Sequence, residues 1–279
     1  MTLRLSLLAG ELSGDKLGAS LMAGLKTLVP DISFHGVGGP LMEAEGLESL
    51  FPMGELSVMG IAEVLPKYRA LKRRLHQTAD AVLAWQPDAL ITIDSPDFSL
   101  RLAKLVKAKS DIPTIHYVAP SVWAWRPGRA AKMAAHVDHV LALLPFEPPY
   151  MEAAGMGCDF VGHPVVSEPV ATKADVQRFR SEEGIGDAPV VLVLPGSRQS
   201  EVTRLAPVFG SAIEAVLSGR PDARVVVPAA SSVAEMVKLA VASWPGAPIV
   251  LDPRDGPDPT GRKRAAFRAA NVALAASGT

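Results

Sequence analysis

Short apolar runs alternate with helix-period segments along this chain, and few folds accommodate that alternation. A buried parallel strand reads as a continuous apolar run, and the helix that follows it covers the sheet. The pattern therefore predicts an α/β fold with parallel sheets. In the first part of the chain, strands are predicted at 3–8, 32–37, 89–93, 114–118 and 139–143, and helices at 16–28, 66–84, 99–108 and 146–153.

Prolines interrupt the alternation at about 162–172, where Pro164 and Pro169 fall close together. Beyond them it resumes, with predicted strands at 190–194, 224–227, 248–251 and 272–275 and predicted helices at 202–217 and 233–243. We therefore predict two Rossmann-like domains, 1–165 and 166–279, facing each other across a cleft. The last predicted strand has no helix after it to cover its sheet, so we expect the second domain to be incomplete.

Composition excludes several classes of protein. The chain is 48% hydrophobic and 20% charged, which rules out a disordered scaffold. A net charge of −1 gives no overall attraction to nucleic acid. The single cysteine, Cys158, and the scattered histidines suggest no disulfide and no metal site. No uncharged stretch reaches the roughly 20 residues of a membrane-spanning helix, and residues 1–10 favour a strand over a signal peptide.

Polar loops follow two predicted strands of the first domain, at the sheet edge where open parallel sheets bind ligands. After the first strand, a glycine-rich loop with Glu11, Ser13 and Asp15 leads into a helix, whose free N–H groups can bind an anion or a sugar hydroxyl. The alternative is that Ser13 or Asp15 only caps that helix. Asp94 and Asp97 follow the strand at 89–93, where a carboxylate can act as a general base. The alternative for this pair is that Asp97 caps the next helix while Asp94 is solvated.

Two further loops carry residues suited to a charged sugar substrate. His116, Trp123 and Arg126 lie at 115–126 and can form an aromatic platform for a sugar or an acyl chain, with a cationic rim. The alternative is core packing with Arg126 on the surface. Ser197 and Arg198 follow a strand of the second domain and can bind a departing diphosphate without a metal. A capped turn with a surface arginine is the alternative there.

A stretch at 61–83 combines apolar residues at helical spacing with basic ones. Such a helix either lies on anionic lipid or packs its apolar side on its own core, and the residues alone favour neither. The residues that would contact lipid are Ile61, Ala62, Val64, Leu65, Tyr68, Leu71 and Lys72.

Taken together, these blocks resemble the lipid-A-disaccharide synthases, inverting glycosyltransferases of the two-domain GT-B type. The resemblance runs along the whole chain. The matching stretches are AGELSGDKLGA at 9–19, GVGGPLMEAEG at 36–46, ELSVMGIAEVLP at 55–66, IDSPDFS at 93–99, HYVAPSVWAWRPGR at 116–129, LPFEPPY at 144–150, FVGHP at 160–164, LPGSR at 194–198 and ASGT at 276–279.

The resemblance implies a defined reaction. The 6-hydroxyl of 2,3-diacylglucosamine 1-phosphate attacks the anomeric carbon of UDP-2,3-diacylglucosamine, giving a β-1,6 disaccharide and UDP without a metal or other cofactor. By motif, Asp94 is the base, although Asp97 remains an alternative. The acceptor would contact Glu11, Ser13, Asp15, His116, Trp123 and Arg126, and UDP would contact Ser197, Arg198, Ser277 and Thr279.

It also implies peripheral attachment, through the stretch at 61–75, to the inner face of the cytoplasmic membrane, and a homodimer in some members. Family chains continue beyond the ASGT block, so we expect this polypeptide alone to have an incomplete donor site and little or no activity. Two alternatives stay open: another UDP-sugar enzyme of GT-B type, such as an epimerase or a transferase with a soluble acceptor, and a non-catalytic lipid- or UDP-binding fragment.

Overall fold

The computed structural model describes residues 2–56, 61–124, 126 and 128–275, and for 61–67 it describes the backbone alone. The chain divides into two compact units, Met1–Ser167 and Glu168–Thr279. This boundary lies two residues beyond the predicted one. The roles assigned to the two domains stay a prediction.

The first unit is built on a parallel sheet of seven described strands, in the order β3-β2-β1-β4-β5-β6-β7. Its strands are β1 Leu3–Ala9, β2 Ile32–Val37, β3 Glu48–Ser49, β4 Ala89–Ile93, β5 Thr114–Tyr117, β6 His139–Ala142 and β7 Gly157–Phe160. Its helices are α1 Leu12–Leu28, α2 Pro40–Ala44, α3 Ile61–Trp85, α4 Pro96–Lys107, α5 Gly128–Ala134 and α6 Pro148–Glu152. Leu7, Leu90 and Ile93 are almost fully buried, as expected for central strands covered on both faces.

The second unit holds a parallel sheet of four described strands, in the order β10-β9-β8-β11. These strands are β8 Val190–Leu194, β9 Arg224–Pro228, β10 Ile249–Leu251 and β11 Val272–Ala275. The helices are α7 Lys173–Glu182, α8 Gln199–Gly219, α9 Ala234–Val241 and α10 Pro259–Ala269. Its cores contain Val193, Ile213 and Val227 on one side and Phe179 and Val226 on the other.

The predicted α/β class and parallel sheets are confirmed, and every predicted strand is present within one residue at each end. The predicted helix at 146–153 is shorter, because two prolines open it at Pro148. Sequence reasoning missed β3, β7, α2, α5, α7 and α10. The helices among these are short or polar, and β7 is mostly exposed, so none shows an apolar run.

Along the described parts of the chain, no helix combines the length and the apolar character needed to cross a membrane.

Candidate functional site

The strand order of the first unit reverses at β1, which has β2 on one side and β4 on the other. A crevice opens beyond the carboxyl ends of the strands at such a reversal, and ligands bind there in open α/β sheets. The loop after β1 and the first turn of α1 contain Gly10, Glu11 and Ser13, and the loop after β4 contains Asp94 and Ser95. The candidate site of this unit therefore lies between these two loops.

The two loops are in direct contact. The Ser13 hydroxyl donates a hydrogen bond to Asp94 Oδ2 at 3.4 Å. A side chain at Gly10 would begin 2.8 Å from Ser95 Oγ, so only glycine allows the loops to approach this closely. Sequence reasoning thus named two residues, Ser13 and Asp94, that the structure brings together.

Asp94 and Ser95 both have left-handed backbone conformations, with φ values of 50° and 44°. Such conformations are costly outside glycine and persist where the surrounding structure holds them. Here the Asp94 N–H donates to the Tyr117 carbonyl at 3.0 Å, and the Ser99 hydroxyl donates to the Asp94 carbonyl at 2.7 Å. The half-buried Asp94 side chain is thereby held at the mouth of the crevice.

Asp97 has a different environment from Asp94. It lies in the first turn of α4, where Ser95 occupies the cap position, so the expectation that Asp97 caps this helix is wrong. Its side chain is 99% exposed and lies 3.8 Å from the Arg129 guanidinium. Asp94 is thus bonded to the first turn of α1, whereas Asp97 lies near Arg129 of α5.

Asp15 is a buried anchor between α1 and α2. Its side chain is 2% exposed, and Oδ1 accepts the N–H groups of Gly39 at 2.9 Å and Met42 at 3.0 Å. Oδ2 accepts the N–H of Leu41 at 3.1 Å. Asp15 therefore accepts hydrogen bonds from the free N–H groups at the start of α2 rather than from those of its own helix. A contact between Asp15 and an acceptor stays a prediction, and in this structure its oxygens already have partners.

His116 lies in the core and not on an open platform. It is 1% exposed, and its Nδ1 is 2.8 Å from Thr92 Oγ1. Because the His116 side chain is buried, it is not accessible to an acceptor, and the structure does not support the predicted acceptor contact. Burial, assisted by the charge of Arg129, lowers the pKa of His116 to about 4.

This pKa predicts a loss of stability in mild acid. Unfolded His116 binds a proton near pH 6.5, whereas folded His116 resists protonation down to about pH 4, so acid favours the unfolded chain. We expect this residue to lower the free energy of unfolding by about 2 kcal/mol between pH 7 and pH 5. Urea unfolding at both pH values measures the loss, and His116→Gln should remove it. The exposed His76, replaced by Gln, is the matched control. An unchanged pH dependence in His116→Gln would contradict this assignment.

The remaining predicted acceptor residues lie near loop surfaces. Glu11 is the residue before α1, half-buried and in an extended conformation. Trp123 is 45% exposed and packs edge-to-face on Phe146 with the ring centroids 5.2 Å apart. Arg126 is exposed and has a left-handed backbone, with φ 53°. Sequence reasoning missed Phe146, although an aromatic residue in the loop after an apolar strand was a usable signal.

In the second unit, the loop between β8 and α8 carries Ser197 and Arg198. Gly196 has a left-handed φ of 112°, which turns the chain into the helix. Glu201, in the first helical turn, accepts the N–H groups of Ser197 at 2.9 Å and Arg198 at 3.2 Å. From the neighbouring loop after β9, the Ser232 hydroxyl donates to the Ser197 carbonyl at 3.3 Å. Sequence reasoning missed Glu201, although a glutamate three residues after a cap position signals a capping box.

A cluster of charged side chains around one buried carboxylate lies at the same sheet edge, after β10. The Asp252 carboxylate is fully buried and binds Arg254 at 2.5 Å and Lys238 at 2.8 Å. These partners hold the pKa of Asp252 well below its usual range, through the hydrogen bond to Arg254 first and that to Lys238 second. The cluster fixes the loop after β10 against α9, and sequence reasoning did not identify it.

The predicted lipid-contact residues are described only in part. On α3, Tyr68 is 50% exposed, Lys72 is exposed and Leu71 is half-buried. The side chains of Ile61, Ala62, Val64 and Leu65 lie outside the described residues, as do Ser277 and Thr279. Arg74 fixes α3 to the turn before it through two hydrogen bonds to Glu55, of 2.7 and 2.6 Å.

Within the described ranges, no three His, Cys, Asp or Glu side chains are grouped so as to hold a metal ion.

Comparison with known proteins gives a consistent result. Residues 5–279 match the family described as lipid-A-disaccharide synthetase. The chain is 67% identical to the lipid-A-disaccharide synthase of Ruegeria pomeroyi over 280 residues, which cover 99% of this chain and 70% of that protein. It is 54% identical to the enzyme of the same name from Rhodospirillum centenum, over 98% of this chain and 67% of that protein.

Solved structures with a similar fold are much more distant in sequence. A UDP-GlcNAc 2-epimerase from Neisseria meningitidis bound to UDP-GlcNAc matches with a TM-score of 0.64 and 11% identity, over 100% of this chain and 78% of that one. S. aureus MnaA with UDP gives a TM-score of 0.67 at 9% identity, over 100% of this chain and 74% of that one. These matches show that the fold is of the GT-B type.

Proposed function

Because the chain belongs to the lipid-A-disaccharide synthase family, we propose that it joins UDP-2,3-diacylglucosamine to 2,3-diacylglucosamine 1-phosphate. It is a glycosyltransferase of lipid A biosynthesis, with a UDP-sugar donor and a lipid acceptor. The acceptor's 6-hydroxyl forms the new bond to the anomeric carbon. The bond from that carbon to the diphosphate breaks, and its electron pair leaves with UDP. The roles of individual residues in this reaction are proposed below.

We assign the general base to Asp94. Removing the hydroxyl proton as the new bond forms needs a carboxylate held in one orientation. The contact between Ser13 and Asp94 is the observation that carries this assignment, because it joins the first turn of α1 to the loop after β4 at the mouth of the crevice. Glu11, Trp123 and Arg126, on the surfaces of the same unit, are the residues we propose for the acceptor.

We assign the leaving diphosphate to Ser197 and Arg198. A helix N-terminus and a guanidinium together stabilise negative charge that develops on a phosphate. Both are supplied by the loop before α8, and Arg198 keeps 56% of its side chain exposed. Ser277 and Thr279 are proposed for the same nucleotide on the family motif alone.

Replacing Arg198 by Ala should weaken the binding of UDP by a factor of about 10 to 100. A charge-assisted hydrogen bond between guanidinium and phosphate is among the strong ones in proteins. Isothermal titration calorimetry with UDP measures the change in Kd. Arg204→Ala is the matched control, because Arg204 is an exposed arginine of the same helix. Equal affinities in Arg198→Ala and the wild type would rule out the diphosphate role.

We further propose that α3 contacts acyl chains and the inner surface of the cytoplasmic membrane. In support, Arg69, Lys72 and Arg73 are exposed, and basic side chains beside exposed apolar ones such as Tyr68 suit an anionic lipid surface. The homodimer expected for some members stays a prediction.

A further inference from the structure

Glu201 places a negative charge inside the loop proposed for the diphosphate. Besides accepting the N–H groups of Ser197 and Arg198 on Oε2, its carboxylate accepts Arg198 Nη1 on Oε1 at 3.1 Å. Three donors of the loop are therefore directed at one carboxylate.

The fit between this carboxylate and the loop is close. A side chain at Gly196 would begin 2.5 Å from Glu201 Oε2, so the carboxylate lies directly against the loop backbone. The backbone N–H of Ser197 and, after it, that of Arg198 hold the pKa of Glu201 below its usual value, so the group is ionised at neutral pH. Its side chain is 25% exposed, which leaves it room to move toward solvent.

The same donors cannot fully serve two anions. Each backbone N–H has one hydrogen to donate, and a carboxylate and a diphosphate are both acceptors that repel each other. A diphosphate that binds the N–H groups of Ser197 and Arg198 therefore has to displace the Glu201 carboxylate from them.

Resting on the diphosphate role proposed above, we infer that Glu201 is an internal anion of the donor site. Without nucleotide, it occupies the loop donors and holds Arg198 in the anion-binding arrangement. When UDP binds, the carboxylate moves off the loop. Glu201 is in this view a positioning residue whose charge lowers the affinity for the nucleotide.

Glu201→Gln tests this inference by the direction of its effect. Gln keeps the shape and one acceptor oxygen but removes the charge that competes with the diphosphate. We expect the Kd for UDP to fall about fivefold, a change that corresponds to the interaction free energy of two partly exposed charges. Uridine has no phosphate, so its affinity should not change. Calorimetric titration with UDP and with uridine measures both, and the Tm of each variant confirms that it is folded.

Two further variants complete the test. Glu214→Gln makes the same change of net charge at an exposed position of α8 and should leave the Kd for UDP unchanged. Glu201→Asp keeps the charge but is one methylene too short to hold all three donors, so UDP should bind about twofold more tightly. UDP affinity that is equal or weaker in both Glu201 variants overturns the inference, as does an equal change for uridine. Failure of the diphosphate role itself would be seen separately, as unchanged UDP affinity in Arg198→Ala.

Discussion

Asp94→Asn, made in a chain of the full length of its relatives, is expected to lower turnover about a thousandfold while leaving the Kd for UDP close to that of the wild type. In the role proposed here, the carboxylate takes a proton from the acceptor and does not bind the nucleotide, so its loss should affect the chemical step alone. General base catalysis contributes about 10²–10⁴-fold to rate, and Asn keeps the size and shape of Asp while losing basicity. Turnover with the two diacylated sugars and calorimetric titration with UDP give the two readouts.

Asp97→Asn provides the control for this experiment. Asp97 stands three residues further on, and its almost fully exposed side chain lies near Arg129 of α5. The variant should keep most of the activity. A large loss in Asp97→Asn together with an active Asp94→Asn would transfer the role of base to Asp97. Comparable losses in both would show that the acidic loop acts as a unit.

Asp15→Ala should be the most damaging substitution for stability among the predicted site residues. It removes the acceptor of three backbone N–H groups at the start of α2, and two of these donors, on Gly39 and Met42, are buried. Buried donors without a partner are costly, and bonds to a charged acceptor are stronger than neutral ones. We expect the free energy of unfolding to fall by about 3 kcal/mol, with a Tm lower by about 5–10 °C.

Thermal and urea denaturation of Asp15→Ala and Asp15→Asn measure this effect. Asn retains one acceptor oxygen but places an amide NH₂ group against the remaining N–H. The free energy of unfolding of Asp15→Asn should therefore lie between those of the wild type and Asp15→Ala. Glu43→Gln, at an exposed position of α2, is the control and should change Tm by less than about 1 °C. A small effect of Asp15→Ala, with activity abolished, would favour the acceptor contact that the sequence suggests.

The sheets were predictable because their signal is local. A strand such as β4 is buried on both faces and therefore appears as a run of apolar residues, whereas α7 and α10 bury only a narrow face and look polar in sequence. The strand β7, with one half-buried residue in four, carries almost no pattern. It is a strand because β6 offers it a partner.

The candidate site was predictable in position but not in detail. The rule that ligands bind beyond the carboxyl ends of parallel strands identified the loops that carry Asp94 and Arg198. The environment of each side chain depends on distant segments, which no local pattern contains. Asp15 binds the N–H of a residue 24 positions away, and His116 binds Thr92 from the neighbouring strand. Both therefore have buried roles that their motifs did not reveal.

The separation between packed sheets and polar loops also bears on how such proteins diverge. The apolar residues of the cores lie in the strands and in the helices packed on them, and most of the residues proposed for chemistry lie on the turns that follow the strands. Substitutions in these turns change a reaction while the strands go on folding as before. A shared architecture at 11% identity with a UDP-GlcNAc 2-epimerase is what this arrangement permits. In evolutionary terms, the fold is a stable support on which selection can exchange one sugar chemistry for another.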